Sequence, residues 1–171
     1  MRLLPTFRLV TILFLLSSFA SAQRAVFVVR HAEKASEANE PSVPLSAAGS
    51  ERARRLAALL REAGISAIYS TDTVRTRETA APLSKILRLE TRVYSANGPD
   101  GKVDLAPLAR RLASENAGDV VLVVGHSNTI APLLSALGAK EPVEIAAEDY
   151  DNLFLLIPRP SGPSLLLRMH F

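Results

Sequence analysis

Two short apolar runs constrain the fold of this chain more than any other feature: Ala25-Val26-Phe27-Val28-Val29 and Val120-Val121-Leu122-Val123-Val124. Both are rich in β-branched residues and carry no polar member, the pattern of a strand covered on both faces in a parallel sheet. Each leads directly into a histidine-bearing turn, Arg30-His31-Ala32-Glu33 after the first and Gly125-His126-Ser127 after the second. Parallel strands deliver chemistry at their carboxyl ends, where the following loops open onto the crevice of an α/β sheet. Outside those turns the sequence has one further histidine, His170.

The residues between and beyond these runs alternate in period. Residues 32–44 read as an irregular loop carrying Pro41 and Pro44. Ser46 stands at the N-cap position of a helix over 47–63. There Ala53, Leu56, Ala57, Leu60 and Ala63 recur at helical spacing, and Gly64 ends the helix. Strands are expected over 65–70 and 91–94, and helices over 73–87, 105–116 and 128–138, with a turn at Asn97-Gly98-Pro99. Residues 153–157 and 164–169 read as a hairpin about the turn 158–163. Alternation of this kind predicts an α/β sandwich with a largely parallel sheet.

The first 22 residues have a different character. Arg2 and Arg8, the apolar stretch 9–16 and the small-residue triplet Ala20-Ser21-Ala22 make the pattern of a secretory leader cleaved before Gln23. The expected organisation is therefore a signal peptide over 1–22 and a single domain over 23–171, periplasmic or secreted. An uncleaved anchor needs about 20 apolar residues, and Ser17 and Ser18 close this stretch early, so no stable membrane anchor is expected after cleavage. With no cysteine in the sequence, disulfides and a lipid-bearing cysteine are both excluded. The 20 Lys and Arg against 17 Asp and Glu overstate the charge of the domain, because Arg2 and Arg8 leave with the leader. A near-neutral domain gives no support to nucleic-acid binding.

The chemistry rests on cations beside the histidines. A guanidinium fork matches phosphate oxygens in pairs better than an ammonium does. Arg30 adjoins His31, and Arg75 lies in Ser70-Thr71-Asp72-Thr73-Val74-Arg75-Thr76-Arg77-Glu78-Thr79-Ala80. That stretch puts Arg75 in the first turn of a helix, where backbone N–H groups and the dipole also favour an anion. Arg77 is expected to point away, into a salt bridge or solvent. A neutral imidazole attacks phosphorus to form a phosphoramidate that water later hydrolyses, so His31 is the expected nucleophile. Nearby arginines keep it neutral, and His126 is expected to donate hydrogen bonds to the phosphoryl oxygens. Taken singly, either histidine reads as an ordinary core or surface imidazole; the matched strand-end positions and Arg30 favour a site. A zinc centre would have to recruit scattered carboxylates such as Asp72 or Glu33, so no metal and no cofactor is expected.

These segments resemble the motifs of the histidine phosphatase superfamily, the phosphoglycerate-mutase-like proteins. Arg30-His31-Ala32-Glu33 is similar to its RHG(E) signature, with Ala32 in place of the glycine. Leu45-Ser46-Ala47-Ala48-Gly49 with Ala53 resembles its LTxxGxxQA segment, residues 70–80 its SxxxRAxxTA stretch, and Gly125-His126-Ser127 its second histidine motif. The resemblance implies a three-layer α/β/α sandwich, a phosphohistidine intermediate at His31, and a phosphate pocket of Arg30, Arg75 and His126. It implies no metal for the catalytic step. Two departures concern the acid that protonates the leaving group. Arg92-Val93-Tyr94-Ser95-Ala96 lacks the glutamate of the mutase-type members, and Ser127 stands where the large phosphatases have aspartate. The proton donor is left unassigned: Glu33, Glu37 and Asp72 are candidates near the motifs and Asp149 or Asp151 from a late loop, with Glu33 nearest, and each also reads as a solvated charge or helix cap. The expected function is hydrolysis of phosphomonoesters or related small phosphoryl compounds. The alternatives are a phosphoryl-ligand binding module without catalysis and a phosphohistidine-protein phosphatase. The sequence leaves the substrate and the oligomeric state open.

Overall fold

The two apolar runs lie side by side as parallel strands, β1 (Ala25–Arg30) and β4 (Val120–Gly125), paired in register from Ala25↔Val120 to Arg30↔Gly125. The computed structural model describes residues 25–116, 118–159 and 161–171; the expected leader, 1–22, lies outside the described residues. Between and after these strands come α1 (Ala47–Leu60), β2 (Ile65–Ser70), α2 (Val74–Leu87), β3 (Thr91–Val93), α3 (Ala106–Glu115), α4 (Ser127–Ala136), β5 (Asn152–Ile157) and β6 (Leu165–His170). The sheet order is β3-β2-β4-β1-β5-β6. Its four strands β3, β2, β4 and β1 are parallel, and β5 and β6 join as the expected antiparallel hairpin on the β1 side.

Alternation along the strands divides the core into two layers. Val26, Val28, Val121, Val123, Phe154 and Leu156 pack with Leu108 and Leu112 of α3 and Ile130, Leu133 and Leu134 of α4. Phe27, Val29, Leu122, Val124 and Leu153 face the other way, onto Leu56, Ala57 and Leu60 of α1 and Ala80 and Leu83 of α2. The result is the α/β/α sandwich, with its parallel strands buried on both faces. Connections leave β1 and β4 over opposite faces, α1 on one side and α4 on the other. Two adjacent strands whose connections part in this way leave a crevice at their carboxyl ends.

Helix boundaries shift by a few residues from the sequence expectation, each for a local reason. Ser46 caps α1 by accepting from Gly49 N at 3.0 Å, but regular helix stops at Leu60. Ala63 N bonds to Leu60 O at 3.0 Å, and Gly64 turns the chain at φ +72° into β2. Thr73 serves as the cap of α2, and His126 as the cap residue of α4, which starts at Ser127. The second histidine thus stands at the mouth of a helix. Among the described residues no helix is long and apolar enough to cross a membrane.

One glycine ties the core to the histidine loop. Ser46 N donates to Glu33 O at 2.9 Å, and the first turn of α1 rests on the Glu33 backbone. A Cβ at Gly49 would lie 2.3 Å from Glu33 O and 2.9 Å from Glu33 N. Glycine to alanine inside a helix ordinarily gains about 1 kcal/mol. Here overlap with backbone reverses the sign, and Gly49→Ala is expected to lose roughly 1–3 kcal/mol. Thermal or denaturant unfolding checks it: a variant as stable as the parent would show that α1 can step away from the loop.

Candidate active site

The in-register pairing of β1 with β4 carries His31 and His126 to neighbouring positions just past the sheet. His31 N donates to Gly125 O at 2.9 Å, and the two imidazole centroids lie 5.2 Å apart at 65°. β2 pairs with β4 through Ser70↔Val124, so Thr71 and the start of α2 arrive at the same edge. Thr71 Oγ1 lies 2.8 Å from His126 Nε2. Arg30, His31 and Arg75 are all buried, and they line a cleft of about 740 Å³ together with His126, Thr71, Asp72 and the first residues of α4.

The His31 tautomer follows from its hydrogen bond. Nδ1 lies 2.8 Å from Ala32 O, and a carbonyl only accepts, so Nδ1 carries a proton. A neutral His31 then keeps its lone pair on Nε2. Burial is the main reason that its pKa falls to about 3; the Ala32 bond opposes this, and His126, Arg30 and Arg75 reinforce it. Burial, then Arg75 and Arg30, lower His126 to about 4. Both rings are therefore neutral at physiological pH in the unliganded protein.

Each guanidinium is anchored on one side and open on another. Arg30 NH1 donates to Ala146 O at 3.0 Å and Ala147 O at 2.7 Å; Arg75 NH1 donates to Glu40 O at 2.9 Å. Their Nε atoms are buried without a protein partner. Burial, then the charge of Arg30, lowers the proton affinity of Arg75. Asp72 is the only carboxylate among the described residues of the cleft, and it pairs with Arg77 at the rim. Two buried cations thus face each other across a cleft with no carboxylate of their own, an electrostatic deficit that an anion fills.

Further residues fix this arrangement. Thr79 Oγ1 accepts from Ala32 N at 3.0 Å and donates to Arg75 O at 2.7 Å, joining the His31 loop to α2. Glu78 accepts from Leu45 N at 2.7 Å. Gly125 leaves room where a Cβ would meet Thr129 Oγ1 at 2.7 Å. Thr71 and Thr79 stand inside the 70–80 motif, but nothing in the sequence alone marks which of its hydroxyls reach across. Tyr150 was missed altogether. Its ring lies 4.1 Å from Arg30 Cζ and 6.0 Å from the His31 ring, although it comes from a late loop without a motif.

The proton-donor expectation at Glu33 needs correction. Its carboxylate lies outside the cleft lining and is held by Arg52, with Nε at 2.8 and 3.0 Å and NH2 at 2.6 Å. Burial favours the neutral form, but the Arg52 hydrogen bonds, a backbone bond and the charges of Arg52 and Arg55 outweigh it and lower the pKa. Glu37 is exposed away from the lining. Asp149 binds Ala146 N and Arg168, and Asp151 binds His170, so these two do not enter the cleft either. No group of three or more histidine or acidic side chains suited to a metal occurs among the described residues.

Fold and site together place paired histidines and two arginines at the carboxyl edge of an α/β sheet. Residues 26–96 match the family model of the histidine phosphatase superfamily, branch 1. The matched stretch carries Arg30, His31 and Arg75. The chain's fold is that of the protein histidine phosphatase SixA complexed with tungstate, at TM-score 0.69 and 21% identity over 85% of this chain and 96% of that one. It is likewise similar to mycobacterial hydrolase 1, at TM-score 0.63 and 21% identity over 85% and 97% of the two chains. A mycobacterial glucosyl-3-phosphoglycerate phosphatase matches at TM-score 0.64 and 18% identity, over 87% and 98%. No curated protein matches the sequence closely enough to count as a relative.

The depressed histidines have a measurable sign. Unfolded imidazoles, near 6.5, take up protons that the folded rings refuse until about 3 and 4. Their contribution to stability is complete above pH 6.5 and is lost as pH falls toward the folded values. Unliganded protein should therefore melt at progressively lower temperature below pH 6.5. The ring-proton resonances of His31 and His126 should not titrate between pH 8 and about 5; a midpoint near 6.5 for either ring would contradict its burial.

Proposed function

We propose that the protein hydrolyses small phosphomonoesters or related phosphoryl compounds through a phosphohistidine at His31. The observation that carries this is the pair of buried guanidiniums, Arg30 and Arg75, in a cleft whose one carboxylate among the described residues, Asp72, is engaged by Arg77, beside a histidine whose Nε2 is unprotonated. In the first step the Nε2 lone pair attacks phosphorus, and the P–O bond breaks with its electrons on the leaving oxygen, which takes a proton from solvent. In the second, water attacks the phosphoryl group and releases a proton to solvent, the P–N bond returns its electrons to Nε2, and inorganic phosphate leaves. Arg30, Arg75 and an N–H of His126 take up the charge on the transferring oxygens. The N-terminus of α4, with Ser127 and Asn128 on the cleft wall, adds a favourable dipole.

Among the described residues the leaving oxygen has no dedicated acid, because Asp72 is engaged by Arg77 and Glu33 by Arg52. A positioned acid is worth roughly 10²–10⁴-fold, so turnover should fall steeply as the leaving group becomes more basic. This supports compounds with good leaving groups, acyl phosphates and phosphoramidates among them. The neighbour SixA is a protein histidine phosphatase; the leader-like residues 1–22 argue instead for export and a small-molecule substrate met in the periplasm or outside the cell. Amino-terminal sequencing of exported protein should begin at Gln23.

A series of aryl phosphates, followed by trapping with ³²P-labelled donor, tests the chemistry. Acid-labile label on the wild type that His31→Ala abolishes, together with loss of p-nitrophenyl phosphate turnover, is the expected result. Retained turnover in His31→Ala refutes the nucleophile. Phosphate binding without label in the wild type would assign the binding-module alternative, which the missing acid favours over other rivals.

A further inference from the structure

The late turn before β5 closes on the phosphate-facing arginine, and the geometry points to Tyr150 as a positioning residue for anion capture. The inference rests on the phosphoryl-transfer proposal for the same cleft. Arg30 is gripped from two directions. Its NH1 donates to the consecutive carbonyls of Ala146 and Ala147 at 3.0 and 2.7 Å, and the Tyr150 ring lies against its face at 4.1 Å from Cζ. The same ring borders His31 at 6.0 Å and 52°. One side chain, carried by neither histidine loop, thus borders both His31 and its neighbouring cation.

The turn is built to hold this pose. Asp149 N donates to Ala146 O at 3.1 Å, while the Asp149 carboxylate accepts from Ala146 N at 3.0 Å and lies 3.6 Å from Arg168 NH2 on β6. These bonds fix the Ala146 and Ala147 carbonyls where NH1 meets them. Tyr150 N bonds to Glu148 O at 3.0 Å, and the next two residues are fastened to β6 by Asp151 to His170 and Asn152 to Arg168. Tyr150 has its neighbours set on both sides in sequence.

A long arginine left alone in a cleft samples many rotamers, and ordering it on ligand binding costs free energy. The turn removes that cost beforehand. With NH1 spent on backbone carbonyls and one face on the ring, Arg30 keeps its buried, unpartnered Nε in one place. Arg75 has a counterpart in Glu40 O, and among the described residues no ring lies across its face. The positioning comes from the ring, not from the phenol oxygen.

The test compares Tyr150→Leu, Tyr150→Phe and Asp149→Ala by isothermal titration with inorganic phosphate and by steady-state kinetics on p-nitrophenyl phosphate. A cation–π contact at a desolvated site corresponds to about a tenfold effect. Tyr150→Leu should therefore weaken phosphate binding by roughly that factor and raise KM more than it lowers kcat, while Tyr150→Phe restores binding to within about threefold of wild type. Asp149→Ala frees the turn at a half-buried position and should weaken phosphate binding by a few-fold, which keeps the test open if Tyr150→Leu does not fold. Unchanged phosphate affinity in the folded variants overturns the positioning role, as does failure of Tyr150→Phe to restore it. Phosphohistidine label at His31 of the wild type is read in parallel. Its presence with unaltered variants discards Tyr150 alone, whereas its absence discards the underlying chemistry.

Discussion

Everything in the cleft hangs on the parallel register between the first strand and the fourth. Pairing Arg30 with Gly125 places the residues that follow, His31 and His126, one strand spacing apart, and the bond from His31 N to Gly125 O continues the ladder one step past the strands. A parallel pair slipped by one residue would turn alternate side chains to the wrong layer, exchanging Val26 and Val28 with Phe27 and Val29. The two core layers therefore enforce the histidine geometry. Precision at the site comes from apolar packing distant from any charge.

The second theme is uncompensated charge. Buried arginines ordinarily meet carboxylates, because desolvating an ion without a partner costs several kcal/mol. Here the nearby acids are directed elsewhere, Glu33 to Arg52 and Asp72 to Arg77. Backbone carbonyls at Glu40, Ala146 and Ala147 hold the guanidiniums without neutralising them. The same positive surroundings add to burial in keeping both imidazoles neutral. A site arranged this way trades unliganded stability for affinity toward a multiply charged oxyanion.

What could be read from the sequence was whatever is local. β-branched runs marked β1 and β4, the Ser46 cap and apolar spacing marked α1, and the helix start after Thr73 located Arg75. The purpose of Gly49 was not legible, since it depends on contact with the Glu33 backbone rather than on any neighbour in sequence. Glu33 itself misled for the opposite reason. Nearness to His31 along the chain suggested a shared site, but Arg52, one helix away, draws its carboxylate out of the cleft. Tyr150 and the carbonyls that hold Arg30 lie more than a hundred residues from it, in a segment whose composition is unremarkable. Side chains recruited across such distances leave no periodic trace.

The anchoring of each arginine to a different loop has a consequence for how such an enzyme diversifies. Arg75 is tethered to the loop that follows β1, and Arg30 to the turn that precedes β5. Those are also the segments freest to lengthen or change composition when a new leaving group must be accommodated. Remodelling either one moves a cation along with the wall of the cleft. The shape of the cleft wall and the placement of its cations are mechanically geared together, so grafting a loop from one such scaffold to another transfers both or neither.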